Sequence, residues 1–323
     1  MTNKNQKNMN IKKISVLGAG TMGHGIAQLC ADSGLKVNFF DISKDNLKKG
    51  YESIKKNLST LESKGQITKE QADNTLDNIM LEEKIEDAVK GVELVIECIV
   101  ENLEIKQKVY EELDSICDES VILASNTSGL SPTAIAKNLK HPERMVVAHF
   151  WCPPELIPLV EVVPGEKTSP EIVDKTMNWV NQIGKEPVKM KKECLGFIGN
   201  RMQYALLREA VYIVEQGWAD IEEVDKAVEY GFGRRLPATG PIKTADLGGA
   251  DVFYSISSYL FKDLCDSKKP SPVMKEIIDN NNYGVKTGKG FYDWDEEKIE
   301  EAEGLRRKLL FYFLNEDKKL LNK

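Results

Sequence analysis

Residues 14–41 read ISVLGAGTMGHGIAQLCADSGLKVNFFD, and this stretch decides the fold. Ile14 to Leu17 is an apolar run suited to a buried parallel strand. Gly18-Ala19-Gly20-Thr21-Met22-Gly23 follows at once and has the form G-x-G-x-x-G. Ile26, Ala27, Leu29, Cys30 and Ala31 then recur at helical spacing until Ser33-Gly34 stops the helix. Lys36 to Phe40 reads as a second strand, closed by Asp41. In this strand–turn–helix setting Gly18 permits the tight turn, Gly20 lets the backbone approach a pyrophosphate, and Gly23 lets helix and strand pack closely. The helix N-terminus turns free N–H groups and a positive dipole end towards the phosphates, so Gly18, Gly20, Thr21, Met22 and Gly23 are the candidate cofactor contacts. Asp41 lies 18 residues beyond Gly23, where a carboxylate can accept hydrogen bonds from the adenosine ribose hydroxyls and repels a 2′-phosphate. The implied cofactor is NAD rather than NADP. The plain alternative is a glycine-rich turn without a ligand, for which three such glycines are a costly use of backbone entropy. His24, next to the last glycine, reads as a helix residue without chemistry.

Beyond this stretch, strands and helices alternate. Asp45 to Lys64 is a Lys-rich amphipathic helix, and Thr68 to Gln71 has the form of a capping box that opens another. Leu94–Ile96, Val121–Ser125, Met145–Phe150 and Leu159–Val163 read as strands, with Val188–Met190 a candidate last one. Asn102 to Ile116 reads as a helix, and Ser169-Pro170 as the cap and first position of one running to Ile183. That alternation implies an α/β fold with a mostly parallel sheet. After Cys194 the pattern becomes helical: Phe197 to Gln216, a helix opened in capping-box style by Asp220 to Glu223, and a charged terminal helix over Glu296 to Lys323. The expected organisation is a disordered arm (1–11), an NAD-binding Rossmann-type domain (12–194) and a smaller all-α domain (195–323).

The chain has 323 residues, in keeping with two domains. Lys plus Arg number 44 and Asp plus Glu 51, a net charge of −7 that argues against general nucleic-acid binding. No window reaches the ~18 apolar residues of a membrane span. Met1 to Lys13 is polar and lacks the apolar core of a secretory signal. The six cysteines form no C-x-x-C pair, which argues against zinc ribbons and suggests a reducing cytoplasm.

His24, His141 and His149 are the only histidines. His149 ends an apolar strand, and active groups in parallel sheets sit at carboxyl ends of strands. Glu161 follows 12 residues later among apolar neighbours. Pro153-Pro154 forces a turn between them, so two strands returning past one another would bring Glu161 towards His149. A buried Glu needs a partner, and a His–Glu pair would fix the imidazole tautomer and raise its basicity. Spacing alone leaves equally open that the two are unrelated.

Taken together, Val16-Leu-Gly-Ala-Gly-Thr-Met-Gly23, Val100-Glu-Asn-Leu103, Ser125-Asn-Thr-Ser128, His149-Phe150 with Leu159-Val-Glu-Val162, Gly196-Phe-Ile-Gly-Asn-Arg201 and Lys286-Thr-Gly-Lys-Gly-Phe-Tyr292 resemble the L-3-hydroxyacyl-CoA dehydrogenase family over residues 12 to 294. The resemblance implies that His149 is the general base and that Glu161 orients it. It implies that Ser128 and Asn200 hydrogen-bond the reacting oxygen and the acyl carbonyl. It further implies that Glu101, Lys106, Ser128 and Lys286 help hold NAD, that Asn57 and Lys64 contact CoA, that no metal is needed, and that the chain forms a homodimer. Two features depart from the pattern. Cys152 stands where the family has an Asn at the cofactor. The run Trp151-Cys-Pro-Pro-Glu-Leu-Ile-Pro158, with Arg234 and Arg235 as candidate carboxylate binders, resembles relatives that oxidise free hydroxy acids such as L-gulonate or carnitine. A short 3-hydroxyacyl-CoA is the first expectation for the substrate and a free hydroxy acid the second. A non-catalytic NAD-binding protein is the remote third, disfavoured because His149 and Glu161 are both present.

Overall fold

The computed structural model describes residues 10–321. The chain begins with β1 (Lys13–Leu17), α1 (Thr21–Asp32), β2 (Lys36–Phe40), α2 (Lys44–Ser63), α3 (Lys69–Asp77), β3 (Ile79–Glu82) and α4 (Ile85–Ala88). It continues through β4 (Leu94–Glu97), α5 (Leu103–Ile116), β5 (Ile122–Ser125), α6 (Pro132–Ile135), β6 (Met145–Phe150), β7 (Leu159–Pro164), α7 (Pro170–Gln182) and β8 (Glu186–Lys189). Six helices complete it: α8 (Gly199–Glu215), α9 (Ile221–Tyr230), α10 (Pro241–Gly248), α11 (Ala250–Leu260), α12 (Pro272–Asp279) and α13 (Glu296–Leu321). Two compact units result, one running through Ile198 and taking in the residues from Leu309 on, the other Gly199–Lys308. Residues 195–198 fall in the first unit, and α13, at 26 residues, is divided between the two at Leu309.

The first unit is a single sheet in the order β3-β2-β1-β4-β5-β6-β7-β8. Its first six strands are parallel, with the 3-2-1-4-5-6 order of a dinucleotide-binding fold. β7 then runs antiparallel to β6, and β8 is parallel to β7. Alternate residues of each strand feed two cores. Ile14, Val16, Leu94, Ile96, Val146 and Ala148 pack under α1, α2 and α7 on one face. Leu17, Val95, Leu123, Met145 and Val147 pack with Tyr110 and Leu113 of α5 on the other. His149 continues the row of Met145 and Val147, so the period of the strand sets the face it occupies.

Two local readings need correcting. β3 was not anticipated: it is a four-residue edge strand whose Met80 and Leu81 are exposed, so it lacks the buried pattern that marks a strand. Asp220 sits at the N-cap of α9, but its side chain makes no capping hydrogen bond. The expected arm lies outside the described residues up to position 9. Ile11, inside its proposed limits, is buried and exchanges backbone hydrogen bonds with the Gln182 amide (3.0 and 2.7 Å).

The second unit has little interior of its own. Val211 and Val224 are its buried hydrophobic side chains, and α10, α11 and α12 bury no residue. Met202 and Tyr204 of α8 and Phe253, Tyr254, Ile256 and Tyr259 of α11 are exposed. Among the described residues no helix is long and apolar enough to cross a membrane.

One buried ion pair anchors the strand that carries His149. Arg144, immediately before β6, donates through Nε (3.2 Å) and Nη2 (2.8 Å) to Asp114 Oδ1 at the end of α5, and through Nη1 to the Asp118 carbonyl. Burial works to raise the Asp114 carboxyl, but the Arg144 guanidinium and the Lys140 and His141 N–H groups outweigh it and hold the group below its ordinary range. Removing one partner strands the other charge, so Arg144→Ala should lower the unfolding free energy by about 3–5 kcal/mol in denaturant titration. A depressed carboxyl contributes stability above its unfolded value of about 3.9 and loses it as pH falls through the folded value. Asp114→Asn should therefore be less stable at neutral pH and show a shallower loss of stability below about pH 4.

Candidate active site

The glycine turn lies at the carboxyl end of β1, beside the point where strand order reverses between β1 and β4. Gly18 has φ +98°, and a Cβ there would lie 2.7 Å from the Cys98 carbonyl oxygen. A Cβ on Gly23 would lie 1.7 Å from the Gly18 carbonyl oxygen, so α1 approaches the turn as only glycine allows. Gly20 differs: nothing lies within 4 Å of its Cβ position. Gly20 is the N-cap of α1 and no side chain caps that end, so the first-turn N–H groups are left for a ligand. Asp41 is braced by the Ala19 and Ser43 N–H groups, one on each oxygen at 2.8 Å. A carboxylate has about four acceptor sites, which leaves capacity for ribose hydroxyls. Open space over Gly20, uncapped amides and a fixed carboxylate fit a dinucleotide. Thr21 and Met22 begin α1, with Thr21 exposed and Met22 packed against the core. His24 turns its Nδ1 back onto the Gly20 carbonyl (2.9 Å).

A chain of charges spans the carboxyl ends of β4 and β5. Glu97 is fully buried and accepts from Lys106 Nζ (2.6 Å), Ser125 Oγ (2.7 Å) and the Ile99 N–H (2.7 Å). Burial nevertheless pushes its carboxyl up, against the pull of Lys106 and those donors. Lys106 Nζ also lies 3.4 Å from Glu101, whose other oxygen accepts from the Thr127 hydroxyl (2.5 Å) and the Ser128 N–H (3.0 Å) and hydroxyl (3.3 Å). Partial burial works to raise Glu101, and the Thr127 hydroxyl, Lys106 and the Ser128 N–H more than offset it, so the carboxyl sits low. Lys106, read from sequence as a cofactor contact, is 1% exposed and enclosed between two carboxylates. Its geometry is that of a group that positions Glu101. No motif or spacing in the sequence singles out Glu97.

The antiparallel register sets His149 directly opposite Glu161. His149 Nδ1 lies 2.9 Å from Glu161 Oε2, and Glu161 is fully buried. The carboxylate accepts Nδ1–H, which leaves Nε2 as the basic nitrogen. Three further groups surround the pair. Trp151 Nε1 donates to Glu161 Oε2 (3.3 Å), the Ile198 N–H donates to Oε1 (2.9 Å), and the Trp151 and Phe197 rings each lie 5.5 Å from the imidazole. Trp151 was legible in principle: two residues past His149, alternation points it to the same face. Phe197 and Ile198, 36 and 37 residues beyond Glu161, carried no such signal.

The other candidates are carried by other elements. Asn200 is the second residue of α8 and Lys286 lines a pocket of about 690 Å³, both in the second unit. Asn57 donates to the Gln28 side chain (3.3 Å), and Lys64 is exposed at the end of α2. Arg234, four residues beyond the end of α9, lies over the Tyr230 ring and donates to the Glu229 carbonyl (3.0 Å), so it is engaged at the end of α9. Cys152 is exposed, but partial burial of its sulfur and then Glu155 push the thiol up, which argues against a reactive thiolate.

With this geometry in view, residues 13–194 match the family described as 3-hydroxyacyl-CoA dehydrogenase, NAD binding domain, and 196–294 match 3-hydroxyacyl-CoA dehydrogenase, C-terminal domain. The chain is 36% identical over 290 residues to a probable 3-hydroxybutyryl-CoA dehydrogenase of Bacillus subtilis, covering 90% of this chain and 99% of that one. It is 35% identical over 300 residues to 5-formyl-3-hydroxy-2-methylpyridine 4-carboxylate 5-dehydrogenase of Mesorhizobium japonicum, covering 93% and 96%. A solved structure of an enzyme of that pyridine-carboxylate activity superposes with a TM-score of 0.86, at 35% identity, over 94% of this chain and 97% of that one. The (S)-3-hydroxybutyryl-CoA dehydrogenase of Ralstonia eutropha superposes with 0.76, at 33% identity, over 89% and 100%.

The two inner glycines separate binding from packing. Gly20→Ala should fold with its stability changed by no more than ~0.5 kcal/mol, because its Cβ enters open space. It should still weaken NAD binding about tenfold or more by calorimetry, because that space is where the pyrophosphate belongs. Gly23→Ala should instead cost about 1–3 kcal/mol of stability by overpacking. Equal NAD affinity in wild type and Gly20→Ala would contradict this assignment.

Proposed function

The chain belongs to the 3-hydroxyacyl-CoA dehydrogenase family, and from that premise we propose that it oxidises the hydroxyl of a short-chain L-3-hydroxyacyl-CoA, such as 3-hydroxybutyryl-CoA, reversibly to the 3-keto product. NAD, when bound, supplies the hydride acceptor. The observation that carries the reading is the buried His149–Glu161 pair at 2.9 Å. His149 Nε2 takes the hydroxyl proton as the C3 hydride departs, and Glu161 stabilises the imidazolium that results. Ser128 and Asn200 hydrogen-bond the reacting oxygen and the acyl carbonyl. Glu101, held low by its donors, accepts a cofactor hydroxyl, with Lys106 fixing its position. Lys286 contributes to the cofactor from the helical unit. Asn57 and Lys64, on and at the end of α2, meet the CoA nucleotide.

A second reading gives the chain a free hydroxy acid. The higher structural similarity to the pyridine-carboxylate enzyme, 0.86 against 0.76, supports a substrate that is a free carboxylate and not a CoA thioester, although the 5-formyl group in that substrate's name is an aldehyde and not an alcohol. Arg235 is the candidate partner for its carboxylate, since Arg234 is engaged at its helix end. We further propose a homodimer formed through the exposed apolar faces of α8 and α11, which leave the helical unit short of a core. The six unpaired cysteines support a cytoplasmic location.

His149→Gln should lower kcat by ~10²–10⁴-fold while NAD affinity persists. NADH formation measured in parallel with 3-hydroxybutyryl-CoA, L-gulonate, carnitine and the pyridine carboxylate separates the two substrate readings. With the acyl-CoA, Lys64→Glu should raise KM, and added salt should do the same because exposed charge pairs are screened within ~10 Å at 0.1 M. Turnover of a free acid alone would give the second reading its place. For assembly, sedimentation should show a dimer, and Tyr254→Lys on α11 should shift it towards monomer.

A further inference from the structure

Glu161 Oε2 is shared. It lies 2.9 Å from His149 Nδ1 and 3.3 Å from Trp151 Nε1, while Oε1 takes the Ile198 N–H. The indole ring also stands 5.5 Å from the imidazole, tilted by 52°. From these contacts we propose that Trp151 is a positioning residue that sets the proton affinity of His149 through Glu161. The inference rests on His149 as the proton acceptor and adds a residue to that reading.

The effect is electrostatic. Each donor on a carboxylate stabilises its negative charge and lowers its proton affinity. Charge taken up by the indole N–H on Oε2 is withheld from the Nδ1–H on the same oxygen. With the indole donor present, Glu161 therefore pulls less strongly on the imidazolium. The pair stays neutral–anionic at lower pH, and His149 remains able to accept a proton. Across the sheet Glu161 lies between His149 and Val188. The segment facing the pair offers the Phe197 ring and the Ile198 N–H. On the loop after β6 the titratable groups are Cys152 and Glu155, and buried Lys185 before β8 donates to the Ile157 carbonyl (3.1 Å). The indole is thus the donor on Oε2 that a substitution can delete while leaving the backbone donor on Oε1 in place.

Two roles for Trp151 predict opposite signs. If it tunes charge, deleting its N–H leaves more of the carboxylate for His149, and the imidazolium holds its proton to higher pH. If it only props Glu161 in place, deleting it loosens the His–Glu pair, and the imidazolium loses its proton at lower pH.

The test is Trp151→Phe, with benzothienylalanine at position 151 as the shape-conserving replacement that lacks only the N–H. The pH profile of kcat/KM for oxidation and the pH titration of the His149 ring by ¹H–¹⁵N NMR are both read. With three histidines in the chain the resonances are few, and His149→Gln assigns them. The expected result is that the acid limb and the His149 ring titration both move to higher pH by about half a unit, a ~threefold change in proton affinity. A shift to lower pH, or none in the benzothienyl protein, overturns the proposal. The NMR titration does not depend on turnover, so the two readings fail separately. If His149→Gln kept the wild-type acid limb, the general-base assignment would fall, while the NMR shift would still decide what Trp151 does to His149.

Discussion

A carboxylate with no exposed surface has to be surrounded by donors, and Glu161 is that constraint in this molecule. Its four oxygen lone-pair directions draw in His149 from β6, Trp151 from the following loop and the Ile198 backbone from the end of the first unit. The reversal of β7 against β6 is what lets this happen, because it sets residue 149 directly opposite residue 161. In a continued parallel sheet the next strand would return only after a crossover, and the two side chains would not meet in the same way. The break in sheet direction and the His149–Glu161 pair are thus one feature.

The same logic operates at the other carboxylate buried in the sheet. Glu97 ends β4 as Glu161 occupies β7, yet its partner is a lysine. Lys106 neutralises Glu97 on one side and reaches Glu101 on the other, so a buried charge is converted into a half-exposed acceptor whose position is fixed. The different outcomes follow from the partners. Histidine can give up and regain its proton near neutral pH, so Glu161 is set beside a group able to transfer one. Lys106 is held between two carboxylates at 2.6 and 3.4 Å, so Glu97 supports a fixed electrostatic surface.

The parts legible in the sequence were those with a short-range cause. The glycine turn, the strand periods and the capping box at Thr68 each depend on neighbours within a few residues, and Thr68 and Gln71 do cap one another. β3 escaped because an exposed four-residue edge strand has no burial pattern to read. Around the candidate site, His149 and Glu161 stood out as polar residues within apolar strands. Their contact could not be read from spacing, since it depends on the direction and register of the β6–β7 pairing. Ile198 contributes through its backbone, which no side-chain pattern records, and Lys106 carries a charge whose partner lies in a different turn of the chain. Lys106, buried between Glu97 and Glu101, is placed to fix the position of Glu101.

The two units also differ in what holds them. The sheet is covered on both faces, and side chains such as Phe39, Tyr110 and Trp179 are almost wholly enclosed. At about 1.5–3 kcal/mol for each fully buried large side chain, that interior can offset the entropy of ordering its own chain. Residues 199–308 bury two hydrophobic side chains and expose aromatic groups along α11. A helical unit so built has little interior of its own to offset the cost of ordering it, and helix propensity alone leaves short helices marginal in water. In the homodimer proposed above, its folding free energy depends on protein concentration in a way that the sheet's does not. The dinucleotide-binding half should accordingly persist under dilution or mild denaturant after the helices of 199–308 have begun to open, and unfolding should proceed in two steps rather than one.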